Sequence, residues 1–585
     1  MILHSLACNA PRIADEERSW GRAGRGFLGR KKPRGMEVAL SFATILYTDL
    51  RSSSVEMFNT VTKGIIKVIM IFATLIIIPI TRIRARKSRQ PCPPIGNDLL
   101  MLPASEVSRR IRRKKVTSEE VVRAYITRCK EVNPAINAVV EARYEAALRE
   151  ARQVDDSVRS GGRTEEEIAK DTPLLGIPVT VKESIAVRGM SHSVGWKREQ
   201  PITAQEDADV VKRVRKAGAI PILVSNTPEM CMYWETYNKV TGMTWNPYDT
   251  KRSAGGSSGG EAALLGSGAS LLSLSSDIGG SARLPAMFCG VFGHKPSPGW
   301  ISTEGHLPNC DDENWTTFFS IGPMVRYAED LPVLLKTMCR SESIASKLDR
   351  KVFVKDIKFF YMEDDCGSVM TNTVDPEIKT GIHRLVRHLE KTHGTKVQKV
   401  EMRDMRFAFE VATAILLGIN GADTIFTRGN DRREWKSVSV EALKFLFGKS
   451  CHTFPNIVYG ILKKFADMSP RSHYENMVEK NKMLKKQFEE LLGDNGVLIY
   501  PTFVSAASYP FEFLCKICSV SYMMIFNSLG LPVTQCPIGL NRNGLPIGLQ
   551  VVANAGCDVL SITVAQEIER AFGGWVPPPP KNRIV

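Results

Sequence analysis

The feature that most constrains this chain is the stretch from Ser253 to Gly299, SAGGSSGGEAALLGSGASLLSLSSDIGGSARLPAMFCGVFGHKPSPG. It is dense in Gly and Ser, yet Leu264, Leu265, Leu271, Leu272 and Leu274 are embedded in it. Flexible linkers lack such apolar residues. Small residues at this density let the backbone fold tightly and bring N–H groups close to a ligand. The plain alternative is a series of tight turns.

The surrounding chain reads as a folded α/β protein. Thr117 and Glu120 form a capping box, followed at helical spacing by Val121, Val122, Tyr125, Ile126 and Cys129, with Pro134 expected to stop the helix. Asp209 to Lys216 reads as a short helix that turns at Gly218 into an apolar strand, Ile220 to Val224. Strand-like runs recur at 177–181, 497–500 and 548–552. Helices alternating with short apolar strands predict one large α/β domain with a buried sheet, over residues 97–585.

The chain's formal charge is +16, but residues 1–90 hold 16 Lys and Arg against 6 Asp and Glu, so +10 sits there. The body is therefore not a basic nucleic-acid surface. Residues 1–56 read as a poorly ordered leader, expected not to belong to the natural product, with Met57 as the more economical start. Residues 57–96 read as a membrane anchor and a basic, Pro-rich linker. The run 64–80, GIIKVIMIFATLIIIPI, is just long enough for one transmembrane helix. Arg82, Arg84, Arg86, Lys87 and Arg89 follow it where a signal peptide would carry a small-residue cleavage site. By the positive-inside rule they place the C-terminal body on the cytoplasmic side. Of 13 cysteines only Cys515 and Cys518 form a CxxC pair, with no second pair to complete a zinc site, so structural thiols are expected. Residues 443–465 mix aromatic and aliphatic side chains with Lys444, Lys449, Lys463 and Lys464. That pattern suits an interfacial membrane contact or a pair of buried helices.

Two hydrolase readings compete within the Gly/Ser segment. Gly255 to Gly259 matches G-x-S-x-G, the elbow of an esterase. The elbow needs an apolar strand before it, and NPYDTKRSA is polar and turn-like. The other reading takes a lysine as base. Lys182 ends the β-branched run of LLGIPVTVKES, which carries it either toward the sheet interior or to the surface at a strand end. A buried neutral lysine is a competent general base.

GIPVTVKE, then GGSSGGE with its first serine 75 residues after the lysine, then DIGGSARLPA with its serine 24 residues further on, together resemble the amidase signature family. The signature covers 176–298, and the family-like organisation runs from about Val116 to Trp575. The resemblance is to the subgroup that cleaves fatty-acid amides, and it implies a single domain with a mixed, twisted β-sheet core surrounded by helices, and a Ser–Ser–Lys triad. Ser281 would be the nucleophile, Ser257, at an unusual cis peptide, the relay, and Lys182 the base. It further implies that backbone N–H groups of Ile278, Gly279, Gly280 and Ser281 hold the oxyanion, that Ser258 supports the network, and that Met230, Cys231 and Met232 lie on the substrate side. Asp277 and Arg283 are expected to brace the loop as an ion pair, and His192 and His294 to be structural. No cofactor or metal is implied. The expected partners are a lipid amide substrate, the bilayer and a second copy in a homodimer. The expected location is single-pass in an endomembrane or on a lipid droplet. A glutaminase component of a tRNA-dependent amidotransferase shares all three motifs and stays open as an alternative.

Overall fold

The computed structural model describes residues 67, 72, 74–85, 89–428 and 431–578. The chain divides at 69/70 into two compact units, of which the second holds the sheet and both Gly/Ser loops.

Eleven strands form one sheet: β1 (Val139–Ala142), β2 (Pro178–Lys182), β3 (Ile220–Ser225), β4 (Leu272–Asp277), β5 (Phe292–Lys295), β6 (Ser320–Val325), β7 (Lys358–Tyr361), β8 (Val397–Lys399), β9 (Gly496–Pro501), β10 (Val533–Leu540) and β11 (Pro546–Ala553). Their order is β1-β3-β2-β4-β6-β5-β10-β11-β9-β7-β8. The sheet is mixed. β2 runs parallel to both β3 and β4, whereas β4 and β6 are antiparallel. Every residue of β2, β3, β4 and β6 is buried, and in β2 and β3 this matches the continuous apolar runs read from the sequence. Each fully buried Val, Leu or Ile there contributes on the order of 1.5–3 kcal/mol.

The helix Ser118–Ile136 begins at the expected capping box, with the Glu120 N–H donated to Thr117 Oγ1 at 3.1 Å and the Thr117 N–H to Glu120 Oε2 at 2.8 Å. It does not stop at Pro134. The proline lies in the last turn, where it forgoes the one N–H that would reach the Lys130 carbonyl, and the helix ends at Asn137, whose φ of 50° is left-handed. The helix Asp209–Lys216 and strand β3 fall where the sequence placed them.

The Gly/Ser segment is no linker. It folds as a helix (Gly259–Gly266), strand β4, a short loop, a helix (Arg283–Phe288) and strand β5. Between residues 253 and 297 Ile278 alone is not buried, so this loop is where the segment meets the outside.

Among the described residues no helix is long and apolar enough to cross a membrane. The leader 1–56 and most of the 64–80 run lie outside the described residues. Residues 74–85 form a helix that exposes Leu75, Ile76, Ile80 and Ile83 and is tied down by Thr81 Oγ1 donating to Glu512 Oε1 at 3.1 Å. The 443–465 patch forms parts of two helices, Val438–Leu446 and Phe454–Met468. They are not a buried pair: Leu446 is 80% exposed, Phe447 71% and Phe465 64%.

Candidate active site

Lys182 closes β2 and is fully buried. Parallel pairing of β2 with β4 sets Val181 beside Leu274, so the carboxyl ends of the two strands bring Lys182 next to Ser276. Lys182 Nζ lies 2.7 Å from Ser257 Oγ and 3.0 Å from Ser276 Oγ. Burial pushes the lysine below its ordinary pKa. The interior reading of Lys182 therefore holds, and its surface alternative falls.

Ser257 follows a cis peptide bond from Gly256. Its carbonyl accepts from Thr227 Oγ1 at 3.2 Å. Gly255 needs its φ of +80° and the absence of a side chain, because a Cβ would come within 2.8 Å of Pro285 Cα. Ser258 donates its N–H to the Ser281 carbonyl at 3.1 Å and its hydroxyl to the Ser276 carbonyl at 3.4 Å. This stitches the GGSSGG loop to the DIGGS loop. Ser281 is 6% exposed, the small opening a reacting serine requires.

Asp277 and Arg283 form the expected buried ion pair, with Nε and Nη2 of the arginine 3.0 and 2.9 Å from the carboxylate. Burial would raise the Asp277 carboxyl, but the Arg283 charge and its hydrogen bonds hold it well below the usual range. Asp277 also takes the Gly280 N–H at 2.8 Å and the Ala282 N–H at 3.1 Å. Gly280 thus differs from the expectation, because its amide faces Asp277 rather than a reacting oxygen. Its φ of +99° makes the turn, and a Cβ there would meet Met523 Sδ at 2.7 Å. The carbonyl of Gly279 accepts from Trp234 Nε1 at 2.8 Å.

Cys231 follows Met230 in a turn where both have positive φ, 58° and 53°. Glu229 anchors this turn, accepting from His452 Nδ1 at 2.8 Å and from the Thr453 N–H at 2.7 Å. Met230 packs with Ile425, Phe426 and Val438 in a second small core, with Met232 against it. The turn is therefore tied to the start of the helix Phe454–Met468.

His192 and His294 stand clear of the two serines. The ring of His192 donates to the Ser184 carbonyl at 3.1 Å, and His294 bridges Thr534 Oγ1 at 2.9 Å and Asp558 Oδ1 at 3.2 Å. Two residues that sequence reasoning missed, Ser276 and His306, also belong to the site. His306 Nε2 lies 3.1 Å from Ser276 Oγ. Ser276 had a visible signal, its place at the end of a strand next to DIGGS; His306, in the GHLP loop, had none. Among the described residues, His388, His393 and Glu567 are the His/Glu group whose donor atoms converge as metal ligands would. Arg570 occupies the other oxygen of Glu567, and both histidines donate to the first, so that carboxylate is already matched.

Human fatty-acid amide hydrolase 2 is 39% identical over 489 residues, 83% of this chain and 92% of that protein. A glutamyl-tRNA(Gln) amidotransferase component from Synechococcus sp. is 27% identical, over 79% of this chain and 90% of that one. A solved fatty acid amide hydrolase superposes with a TM-score of 0.65 at 20% identity, covering 82% of this chain and 86% of its own. The amidase family profile matches residues 120–561, and by that match and these relatives the chain belongs to the amidase family, whose signature it carries, and is an amide hydrolase.

Proposed function

We infer that the chain hydrolyses fatty-acid amides to a fatty acid and an amine through Ser281, Ser257 and Lys182. The observation that carries this reading is the buried Lys182 amine 2.7 Å from Ser257 Oγ, in a loop bonded to Ser281. Ser281 Oγ attacks the amide carbonyl carbon. Its proton passes to Ser257 as the proton of Ser257 passes to the Lys182 lone pair. The oxyanion is held by amides of Ile278, Gly279 and Ser281, since the Gly280 N–H belongs to Asp277. The C–N bond then breaks and the proton returns through Ser257 to the leaving nitrogen. Water repeats the sequence on the acyl-Ser281 ester and releases the acid.

A long-chain substrate and a membrane location are supported by the exposed apolar side chains of 438–468 and of helix 74–85. These surfaces are connected near the site. Phe511, next to Glu512, packs on Tyr237 at 6.5 Å, and Lys239 lies 5.8 Å over Phe445. The 64–80 run would add an anchor, with the catalytic body on the cytoplasmic face of an endomembrane or lipid droplet; a homodimer completes the proposal.

A fluorophosphonate probe tests the chemistry. It should label Ser281, and Ser281→Ala should lose labelling and hydrolysis while keeping its melting temperature. An adduct mapped to Ser257 would reverse the assignment. Profiling long-chain amides against glutamine separates this reading from the glutaminase one, and glutamine as the preferred substrate would sink it.

A further inference from the structure

The Lys182 amine has two hydrogen-bonded neighbours, Ser257 and Ser276, and the Cys231 side chain is close enough to influence its charge. A neutral amine offers them two N–H bonds and one lone pair. Which neighbour faces the lone pair decides whether Lys182 can take a proton from Ser257.

The hydrogens can be counted. His306 Nδ1 lies 2.9 Å from the Pro308 carbonyl oxygen, which only accepts, so Nδ1 carries the hydrogen. Nε2 of the neutral ring is then bare. It lies 3.1 Å from Ser276 Oγ, so Ser276 donates its single hydrogen to His306. The Ser276 oxygen is left with lone pairs toward Lys182 at 3.0 Å and must accept an N–H. The other side follows the same logic. Thr227 gives its hydrogen to the Ser257 carbonyl at 3.2 Å, so it accepts the Cys231 S–H at 3.4 Å, and the thiol hydrogen is spent there. Neither Ser276 nor Cys231 then donates to the amine, and its lone pair is left to Ser257.

We propose that His306 is a positioning residue which, through Ser276, sets the direction of hydrogen bonding around Lys182 and keeps the lone pair of the amine on Ser257. The proposal rests on the Ser257–Lys182 relay. Its surroundings keep the imidazole in the required state. It is buried against Phe319, with ring centroids 4.6 Å apart. Burial pushes its pKa down to about 3. Asp277 follows Ser276 in the chain, but its carboxylate is taken by Arg283. Without His306, the Ser276 hydroxyl is free to turn and donate to the lone pair, in competition with Ser257.

The test compares the full-length wild type with His306→Leu, His306→Gln, Ser276→Ala and the double variant His306→Leu/Ser276→Ala. His306→Leu should lower kcat for amide hydrolysis about 10- to 100-fold. KM should move less than about threefold, and fluorophosphonate labelling of Ser281 should slow by the same factor as kcat. The planar amide of glutamine carries an acceptor and a donor spaced much like the ring nitrogens, so His306→Gln should recover most of the rate. The double variant should be no slower than Ser276→Ala, because the effect passes through that hydroxyl. Wild-type labelling in His306→Leu, independent losses that multiply in the double variant, or a folded His306→Gln as slow as His306→Leu would each overturn the proposal. Should His306→Leu not fold, Ser276→Ala carries the test, and an unchanged labelling rate there overturns it. Lys182→Ala separates the two readings: if it still labels, the relay itself fails, whereas an inert Lys182→Ala beside a fully active His306→Leu defeats only the role of His306.

Discussion

Burial moves Lys182 toward its neutral form, the form that the proposed relay needs. Desolvation lowers its pKa from the usual lysine value, so kcat/KM should climb as pH rises and the residual ammonium loses its proton, then level off. Lys182→Ala should abolish that limb and most of the rate. Lys182→Glu, a base with the opposite charge dependence, should shift the limb toward acid. An unchanged limb in Lys182→Ala would show another base at work. Three motifs in order were enough to mark Lys182, Ser257 and Ser281, because each sits in a local sequence that the backbone needs: a buried strand end, a Gly-rich loop, a positive-φ turn. His306 and Cys231 reach Ser276 and Thr227 through contacts made across the fold, from loops whose local sequence is ordinary. No spacing rule could have tied His306 to Ser276 or shown that the Gly280 amide turns into Asp277.

At the scale of elements, periodicity located the helices and strands well but misjudged what ends and covers them. Pro134 looked like a terminator and proved harmless in a last turn. The helices Val438–Leu446 and Phe454–Met468 were equally legible as a buried pair or a membrane contact, since apolar content alone does not say what lies opposite. Their exposed Leu446, Phe447 and Phe465 decide against burial. Replacing these three by glutamate should reduce cosedimentation with phosphatidylcholine vesicles while leaving hydrolysis of a short, soluble amide within about twofold, because surface substitutions typically change stability by less than ~0.5 kcal/mol. Undiminished vesicle binding would move the contact elsewhere.

Across the whole molecule, the sheet decides both stability and chemistry. Glu261, fully buried on the helix behind the GGSSGG loop, accepts from Thr180 and Ser273, and burial raises its carboxyl to about 7. The fold therefore favours the protonated acid. Its contribution is complete below the unfolded pKa near 4.5 and is lost as pH rises through about 7. Glu261→Gln should remove that part of the slope, so the melting temperature of the variant relative to wild type should increase from pH 5 to pH 8. A difference independent of pH would mean that Glu261 is ionised in the fold.

The parallel register of β2 and β4, with Val179, Thr180 and Val181 beside Leu272, Ser273 and Leu274, has a consequence for how such a chain can change over generations. The spacing between Lys182 and Ser276 is written in strand pairing, not in the length of polypeptide that separates them. Exposed turns in that interval, such as residues 197–201, can lengthen, shorten or be exchanged without moving either group. Strand register, rather than loop length, is what such a chain must keep if Lys182 is to stay beside Ser276.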